Sequence, residues 1–562
     1  MTFGIDFGTS NSVLARSNGQ DVEIVPVDSG QVPAQWRQPE FEDLFPSVLG
    51  IRPLQRTLCF GWAAKTVGSE PVDAVKRMLG TRSAGSQQVD DGTPRLEEHN
   101  IWLGGEPFRS TAAAASLFAE MKLAAGRSFL ELDEAVVTVP ANATGGARYR
   151  TRAAARLAGI RVKALLNEPT AAAVSYVHDI AIEGRLLIFD WGGGTIDVTV
   201  LEYDGKFFEE RSSRGIAALG GLEFDEALAR IFITKLGQTP ENLSKVERAR
   251  WRREVELTKI ALSQPDASEL AFDLPARGVS LTVARAEYID AVTPLITRAM
   301  EPLYQCLEDT GIGSDKIDAV LMIGGTSQIP EAREAVGKVL SPESIVPAEL
   351  CHPMTAVARG AAIYGAALDD PDQHGQFALV TNYDLGTAFD AGPRRGFKPI
   401  IGRNRTLVAL GEMRFVPNRP HAYALNIEIV EGEAGFPADS DRAFPLSNLQ
   451  VTLPRREADP EANAVIVKFR YDHSGILKVT VIHEKSGREL LSDELDSFGE
   501  DGTPLQTGLR EELIRLLGHT DVPFAEAGTD EPLVEAKAPV PGHVLPLLDG
   551  DLTVNGRPQR RL

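Results

Sequence analysis

Two distant segments of the chain follow one plan. "IDFGTSNSVLA" (5–15) and "FDWGGGTIDVTVL" (189–201) each pass from an apolar strand through an Asp and an aromatic residue into a Gly-rich hairpin, then into a second apolar strand. Glycine lets a backbone turn tightly and approach a ligand closely. Successive N–H groups in such turns form an anion-binding concavity, and an Asp at each strand end suits hydrated Mg2+. Either hairpin alone reads equally well as an ordinary turn rich in Asp and Gly. The pair, with "IGG" (323–325) ending a third strand, points to a fold whose two halves clamp a polyphosphate.

The surrounding pattern agrees with two such halves. "AVVTVP" (135–140) and "VKALLN" (162–167) read as strands, and "GARYRTRAAARLAG" (146–159) and "EPTAAAVSYV" (168–177) as helices. Strand, glycine turn and strand span 185–205, strand and helix span 319–340, and long helical patterns cover 243–263 and 284–310. This alternation predicts an α/β domain over residues 1–368. The acidic, Pro-containing stretch from 369 to 382 reads as a linker. Residues 383–498 carry short alternating strands punctuated by turn residues, predicting a compact β-rich domain. The rest, 499–562, offers one helical run, "GLREELIRLLG" (508–518), marginal as an isolated helix, within an acidic, Pro-containing tail expected to be flexible.

Bulk properties narrow the class. A chain of 562 residues with 43% hydrophobic content can build several cores. Its formal net charge of −21 argues against a nucleic-acid partner or an anionic-membrane surface, both of which call for basic patches. Cys59, Cys306 and Cys351 are odd in number and far apart, as expected of reduced thiols. No run of about 18 apolar residues marks a membrane span, and no basic-then-apolar start marks secretion. A cytoplasmic protein is expected.

In order along the first 370 or so residues stand "GIDFGTSNS", "AVKRMLG", "AVVTVPA", "RLAGIRVKALLNEPTAAA", "FDWGGGTIDV", "ALGGLEFD", "ELTKIALS" and "IGGTSQIPEAR". This set resembles the actin, sugar-kinase and heat-shock ATPase superfamily, and within it the seventy-kilodalton heat-shock chaperone family (DnaK type). The resemblance implies a two-lobed, actin-like α/β ATPase domain followed by a β-sandwich substrate-binding domain, without the family's long helical lid. It implies ATP and ADP with Mg2+, and K+, as ligands. It also implies a polypeptide client or one specific protein partner, a J-domain co-chaperone and a nucleotide exchange factor.

The resemblance also implies roles at matching positions. Gly8, Thr9, Ser10 and Asn11 match the first phosphate loop, and Gly192, Gly193, Gly194 and Thr195 the second. Asp6 and Asp190 match the Mg2+-associated carboxylates. Lys76 matches the lysine that meets the transferred phosphate, while Glu168, Asp197 and Thr195 match groups ordering water and ions there. Gly220 and Gly221 fall in the "ALGGLEFD" motif; Glu256, Lys259 and Ser263 match the ribose side; Gly324, Gly325, Thr326, Ser327 and Gln328 match the adenosine loop. Pro140 and Arg148 match a relay to the second domain, and Phe415 and Leu425 match positions lining a peptide cleft. Without the motif order, Lys76 reads as a solvated helix residue and Phe415 and Leu425 as plain core.

The chain departs from the family pattern in several places. Gln328 replaces an adenine-stacking Arg, and Ile260 supplies no second guanidinium; a lost cation–π contact costs ~0.5–2 kcal/mol, so modest ATP affinity is expected. Met354 replaces an acidic residue, and "GQFALVTNYDLG" (375–386) is less aliphatic than the family linker. Three functions remain open: an ATP-hydrolysing chaperone, an ATP-switched adaptor for one partner, and a small-molecule kinase. The extra β-domain and "NEPTAAA" count against the kinase.

Overall fold

In the computed structural model, the described residues are 1–28, 32–36, 41–80, 99–180, 182–237, 244–264, 266–274, 279–369, 377–378, 380–381, 383–390, 395–438, 440, 443–494 and 506–524. Two sheets built alike form the two lobes. In lobe I the first strand, Thr2–Asp6, lies between its hairpin partner Asn11–Ser17, antiparallel, and Glu134–Val139, parallel; Arg161–Asn167 and Val22–Ile24 flank them. Lobe II repeats the arrangement: Gly184–Trp191 lies between antiparallel Ile196–Tyr203 and parallel Ala319–Ile323. Strands buried on both faces are continuously apolar, as in "AVLMI" (319–323). The sequence echo is therefore a structural repeat, and each copy carries an Asp at or next to the end of its strand, Asp6 and Asp190.

Ala-rich helices join the lobes at the base. Helix Ala356–Ala367 packs on helix Glu168–Ile180 and on the first strand. Gly4 and Gly360 allow this approach, since a Cβ at either would run into the facing helix backbone. Lobe I has its own core under helix Ser110–Arg127, and lobe II has one between Phe189, Trp191, Phe224 and Tyr288. The pattern at 284–310, read as one helix, is two: Arg285–Ala299 and Glu301–Thr310. Pro302, in the first turn of the second, has no N–H to extend the first.

After the lobes, Phe377–Ala378 adds a parallel edge strand to the lobe II sheet, Phe377 opposite Phe208. Two four-stranded sheets then form a sandwich. One contains Arg395–Ile401, Asp384–Asp390, Ala424–Gly432 and Ala443–Thr452; the other contains Ala409–Phe415, Val465–Tyr471, Leu477–His483 and Glu489–Glu494. Alternate residues such as Val465, Val467, Phe469 and Tyr471 face the shared core.

The C-terminal helix Gln506–Gly518 is not isolated. It lies on lobe I, against helices Ser110–Arg127 and Gly145–Leu157. Leu509, Leu513 and Leu516 form a stripe at helical spacing and are buried there, followed by Phe524. The Arg109 backbone N–H and Nε donate to the two oxygens of Glu512 at 2.9 and 2.8 Å. The Leu58 N–H donates to His519 O (2.7 Å), and the Phe524 N–H to Arg56 O (2.9 Å). Gly104, at φ +62°, leaves room for the Phe524 ring that a Cβ would take. The expectation of a freely moving tail is thus corrected for 506–524, because an amphipathic helix has found an apolar partner surface. Residues 499–505 and 525–562 lie outside the described residues. Among the described residues no helix is long and apolar enough to cross a membrane.

Candidate functional site

The two glycine hairpins face one another across the cleft. A Cβ on Gly193 would fall on Ser10, and one on Gly194 on Thr9. The second loop is closed by the Gly192 N–H to Thr195 O (3.1 Å). It is held by the segment 220–222: the Gly221 N–H donates to Gly192 O (3.1 Å) and the Leu222 N–H to Gly193 O (2.9 Å). Thr326 Oγ1 donates to Gly192 O at 2.8 Å, joining the loop 324–328 to this hairpin. Gly8 is also obligatory, because a Cβ there would strike Asn11 O. Thr9, Ser10, Asn11, Gly192, Gly193, Gly194, Gly220 and Gly221 therefore converge on one space. The buried Asn11 Oδ1 has no partner among the described residues.

Beneath the loops lies a buried charge cluster. Asp6 and Asp190 end corresponding strands, and Asp197 sits directly opposite Asp190 in its hairpin. Glu168 opens helix Glu168–Ile180, and its carboxylate pairs with the Lys76 ammonium from the short helix Val75–Met78. Burial and then Glu168 push Asp6 up to about 7, against the pull of Lys76 and a hydrogen bond from Thr138 Oγ1 (3.3 Å). Asp190 is raised well above the carboxylate range by burial, then by Glu168, Asp197 and Asp6. Asp197 is raised to about 7 by burial and then Glu168, opposed by the Asn142 N–H at 2.9 Å. Burial alone would lower Lys76, but Glu168 and Asp6 outweigh it and raise it.

Such a donor set suits a divalent cation, which favours the ionised carboxylates. Asp197 Oδ2 is buried and unpartnered. The carboxylates of Asp6 and Asp190, at corresponding places in the two lobes, fit an ion bound by few protein ligands that keeps its waters, as Mg2+ does.

Beside the segment 220–222, helix Lys245–Leu262 presents Glu256 and Lys259, with Ser263 as its cap. Lys259 Nζ pairs with Asp225 (2.8 Å) and donates to Gly221 O (3.2 Å). Ser263 Oγ donates to Lys259 O (2.8 Å). Gly324 takes φ +79° beside the backbone of Trp191 and Gly192, where a Cβ would clash. Ser327 Oγ donates to Gly324 O (2.7 Å). The Gln328 amide turns back to Met322 O (2.9 Å) and Ser327 Oγ (2.7 Å), so it is committed to the loop itself. The Trp191 ring is fully buried in the lobe II core, with Nε1 donating to Leu219 O.

Pro140 ends the strand below Asp197 and accepts from the Ala143 N–H (3.0 Å). Arg148 is buried, with Nη2 donating to Asn167 Oδ1 (2.7 Å). Asn167 Nδ2 donates to Glu210 (3.2 Å), which also accepts from the Val380 N–H (3.1 Å) within the linker. Three groups that the sequence did not single out complete this seam. Asn142 holds Asp197 and accepts from Tyr383 OH at 2.9 Å. Glu210 binds the linker backbone. Glu431 of the sandwich accepts from the Gly145 N–H (2.7 Å) at the start of helix Gly145–Leu157. Asn142's place two residues past Pro140 is the one sequence hint among them. Phe415 and Leu425 are half-buried on the two different sheets of the sandwich, packed against its core and far from the cleft.

Comparison with known proteins agrees with this geometry. A protein of Delftia acidovorans named Chaperone protein HscA homolog is 30% identical over 510 residues, covering 88% of this chain and 78% of the relative. Chaperone protein HscA of Klebsiella pneumoniae is 28% identical over 527 residues, 91% of this chain and 80% of its own. The family described as Hsp70 protein matches residues 2–492, which takes in both lobes, the linker and the sandwich. With its paired glycine hairpins, buried carboxylates and docked β-sandwich, the chain belongs to the Hsp70 family.

Proposed function

We propose that this Hsp70-family chaperone binds MgATP between its lobes, hydrolyses it slowly, and uses nucleotide state to control how its sandwich holds a polypeptide. The observation that carries this reading is the facing of Thr9 and Ser10 against Gly193 and Gly194 above the Lys76–Glu168 pair. Backbone N–H groups of the two hairpins cradle the phosphates. Lys76 offers positive charge where it develops on the transferred phosphoryl group, the main task in this chemistry. Glu168, Asp197 and Thr195 orient the attacking water, and Asp197, with its raised proton affinity, is suited to take a proton from it. Asp6 and Asp190 hold the hydrated Mg2+, which neutralises phosphate charge when bound. Glu256, Lys259 and Ser263 meet the ribose, and Gly324 to Gln328 the base.

Coupling to the sandwich runs through Asp197, Asn142 and Tyr383, and through Arg148, Asn167 and Glu210 to Val380. Phe415 and Leu425 contribute to an apolar peptide cleft entered by strand addition. A J-domain co-chaperone, a nucleotide exchange factor, bound K+ and a cytoplasmic location complete the reading. The test is ATP turnover without any added acceptor, run beside capture of an extended peptide in ATP and in ADP. Turnover that needs a small-molecule acceptor, or peptide capture indifferent to nucleotide, would overturn it.

The adaptor reading has one observation in its favour. The C-terminal helix occupies lobe I, and among the described residues no helix covers the sandwich. If unrelated apolar peptides fail to compete with a captured partner, the adaptor is the better description.

A further inference from the structure

Phe415 ends one strand of the sandwich and Leu425 lies at the start of the next, so the loop 416–423 crosses between the two sheets. Leu425 stands opposite Val451, and the chain that leaves this second strand, 453–459, runs beside the crossing loop. The Leu453 N–H donates to Tyr423 O (2.9 Å), and the His421 N–H to Glu457 O (2.7 Å). The two segments thus make one surface next to Phe415 and Leu425. It carries Arg419, His421, Arg455 and Arg456, all exposed. Tyr423 is 63% exposed, and the Arg456 guanidinium lies 5.4 Å from its ring centroid.

Most acids nearby are already engaged. Glu461 and Glu484 both pair with Arg414, at 2.6 and 2.9 Å. Asp459 Oδ1 accepts from the Glu461 N–H (3.1 Å), and Glu457 is half-buried. Arg419, Arg455 and Arg456 make no ion pair among the described residues. A chain of net charge −21 therefore keeps three unpaired guanidiniums around one aromatic ring. Like charges so grouped repel one another, and a ligand that brings carboxylates relieves the repulsion. Neither the phosphate chemistry nor the seam with the lobes uses these groups.

We propose that this end of the sandwich selects extended peptides whose apolar residue is flanked by Asp or Glu, and rejects those flanked by Lys or Arg. The proposal rests on the reading of Phe415 and Leu425 as lining the peptide cleft. Burial of the apolar residue there supplies affinity. The flanking carboxylates meet the arginine forks in charge-assisted hydrogen bonds. Exposed ion pairs are individually weak, so selection comes from three arginines acting together, by steering encounter and turning away like charge. A nucleic acid is the poorer occupant, because the patch is small and the chain's overall charge repels a long phosphate backbone.

The experiment uses the full chain in ADP and fluorescent leucine-centred peptides of one length, flanked by aspartates, serines or lysines, with anisotropy as the readout. At low salt the aspartate-flanked peptide should bind roughly tenfold tighter than the lysine-flanked one. The gap should shrink as salt rises, because exposed pairs are screened. A variant carrying Arg419→Glu, Arg455→Glu and Arg456→Glu should reverse the order, with circular dichroism checking its fold. Arg419→Glu alone should narrow the gap, and it serves if the triple variant folds poorly. Equal affinity for the three peptides in the parent, or the parent's order kept in the variants, would overturn the proposal. So would displacement by a single-stranded RNA as effective as that by the aspartate-flanked peptide, since any polyanion would then serve. If the parent captures none of the three peptides, the cleft itself is wrong and the proposal falls with it.

Discussion

Glu431 offers a direct test of the seam between the lobes and the sandwich. Its carboxylate is buried at the start of helix Gly145–Leu157, and burial raises it from 4.5 to about 7. The Gly145 N–H and then Arg148 pull the other way, and Tyr471 and Tyr383 face the same group. If the sandwich moves away, the carboxyl meets water and returns to its ordinary value. The docked form therefore binds more protons than the undocked form between pH 4.5 and about 7. Docking is strongest below 4.5, weakens as pH rises through that window, and is level above it. From 4.5 to about 7 the difference is worth ~3.4 kcal/mol at ~1.36 kcal/mol per pH unit, or roughly 300-fold in the docking constant. The three native cysteines are buried, so introduced surface cysteines on lobe I and the sandwich can carry a fluorescent donor and acceptor. Energy transfer in the parent should fall as pH rises from 4.5 to about 7 and stay level above that, and Glu431→Gln should flatten that dependence and hold the docked value. Equal pH dependence in the two proteins would refute the argument, because some other group would then be titrating.

Lys76→Ala and Thr195→Ala should keep ATP binding and lose about 100- to 1,000-fold in single-turnover hydrolysis, the usual cost of one preorganised electrostatic group. Near-parent rates in both would remove them from the reaction. Lys76→Ala should also lower apo stability by ~3–5 kcal/mol in urea unfolding, since it leaves Glu168 buried without its partner. Phe524→Ala should cost ~3–5 kcal/mol of lobe I stability by emptying the space beside Gly104; an unchanged denaturation midpoint would mean that the C-terminal segment does not dock. Leu425→Asp should abolish capture of an apolar peptide, by putting a charge at a half-buried position of the sandwich, with circular dichroism checking that the fold survives.

The two glycine hairpins were legible in the sequence because their signal is local: a strand, an Asp and a run of glycines are contiguous. The Trp191 ring could also have been placed from sequence. Side chains alternate along a strand, so if Asp190 faces the cleft, Trp191 faces the core. The seam was not legible. Asn142, Glu210 and Glu431 are ordinary polar residues until partners far along the chain bury them. The stripe of Leu509, Leu513 and Leu516 announced an amphipathic helix, but nothing nearby named its partner, which lies almost 400 positions earlier.

The docked C-terminal helix also sets a limit on distance. The sandwich leaves lobe II through residues 377–383 and ends at Glu494, and the chain is fastened to lobe I again from Gln506. Residues 495–505 can span at most about 40 Å even when fully extended. While the helix stays seated, Glu494 cannot travel beyond that radius, so a sandwich that left the lobes would remain joined to them at both ends. Return to the lobes is then an encounter within one molecule, at an effective concentration of the order of millimolar. Its rate is governed by chain length and not by how much protein is in solution.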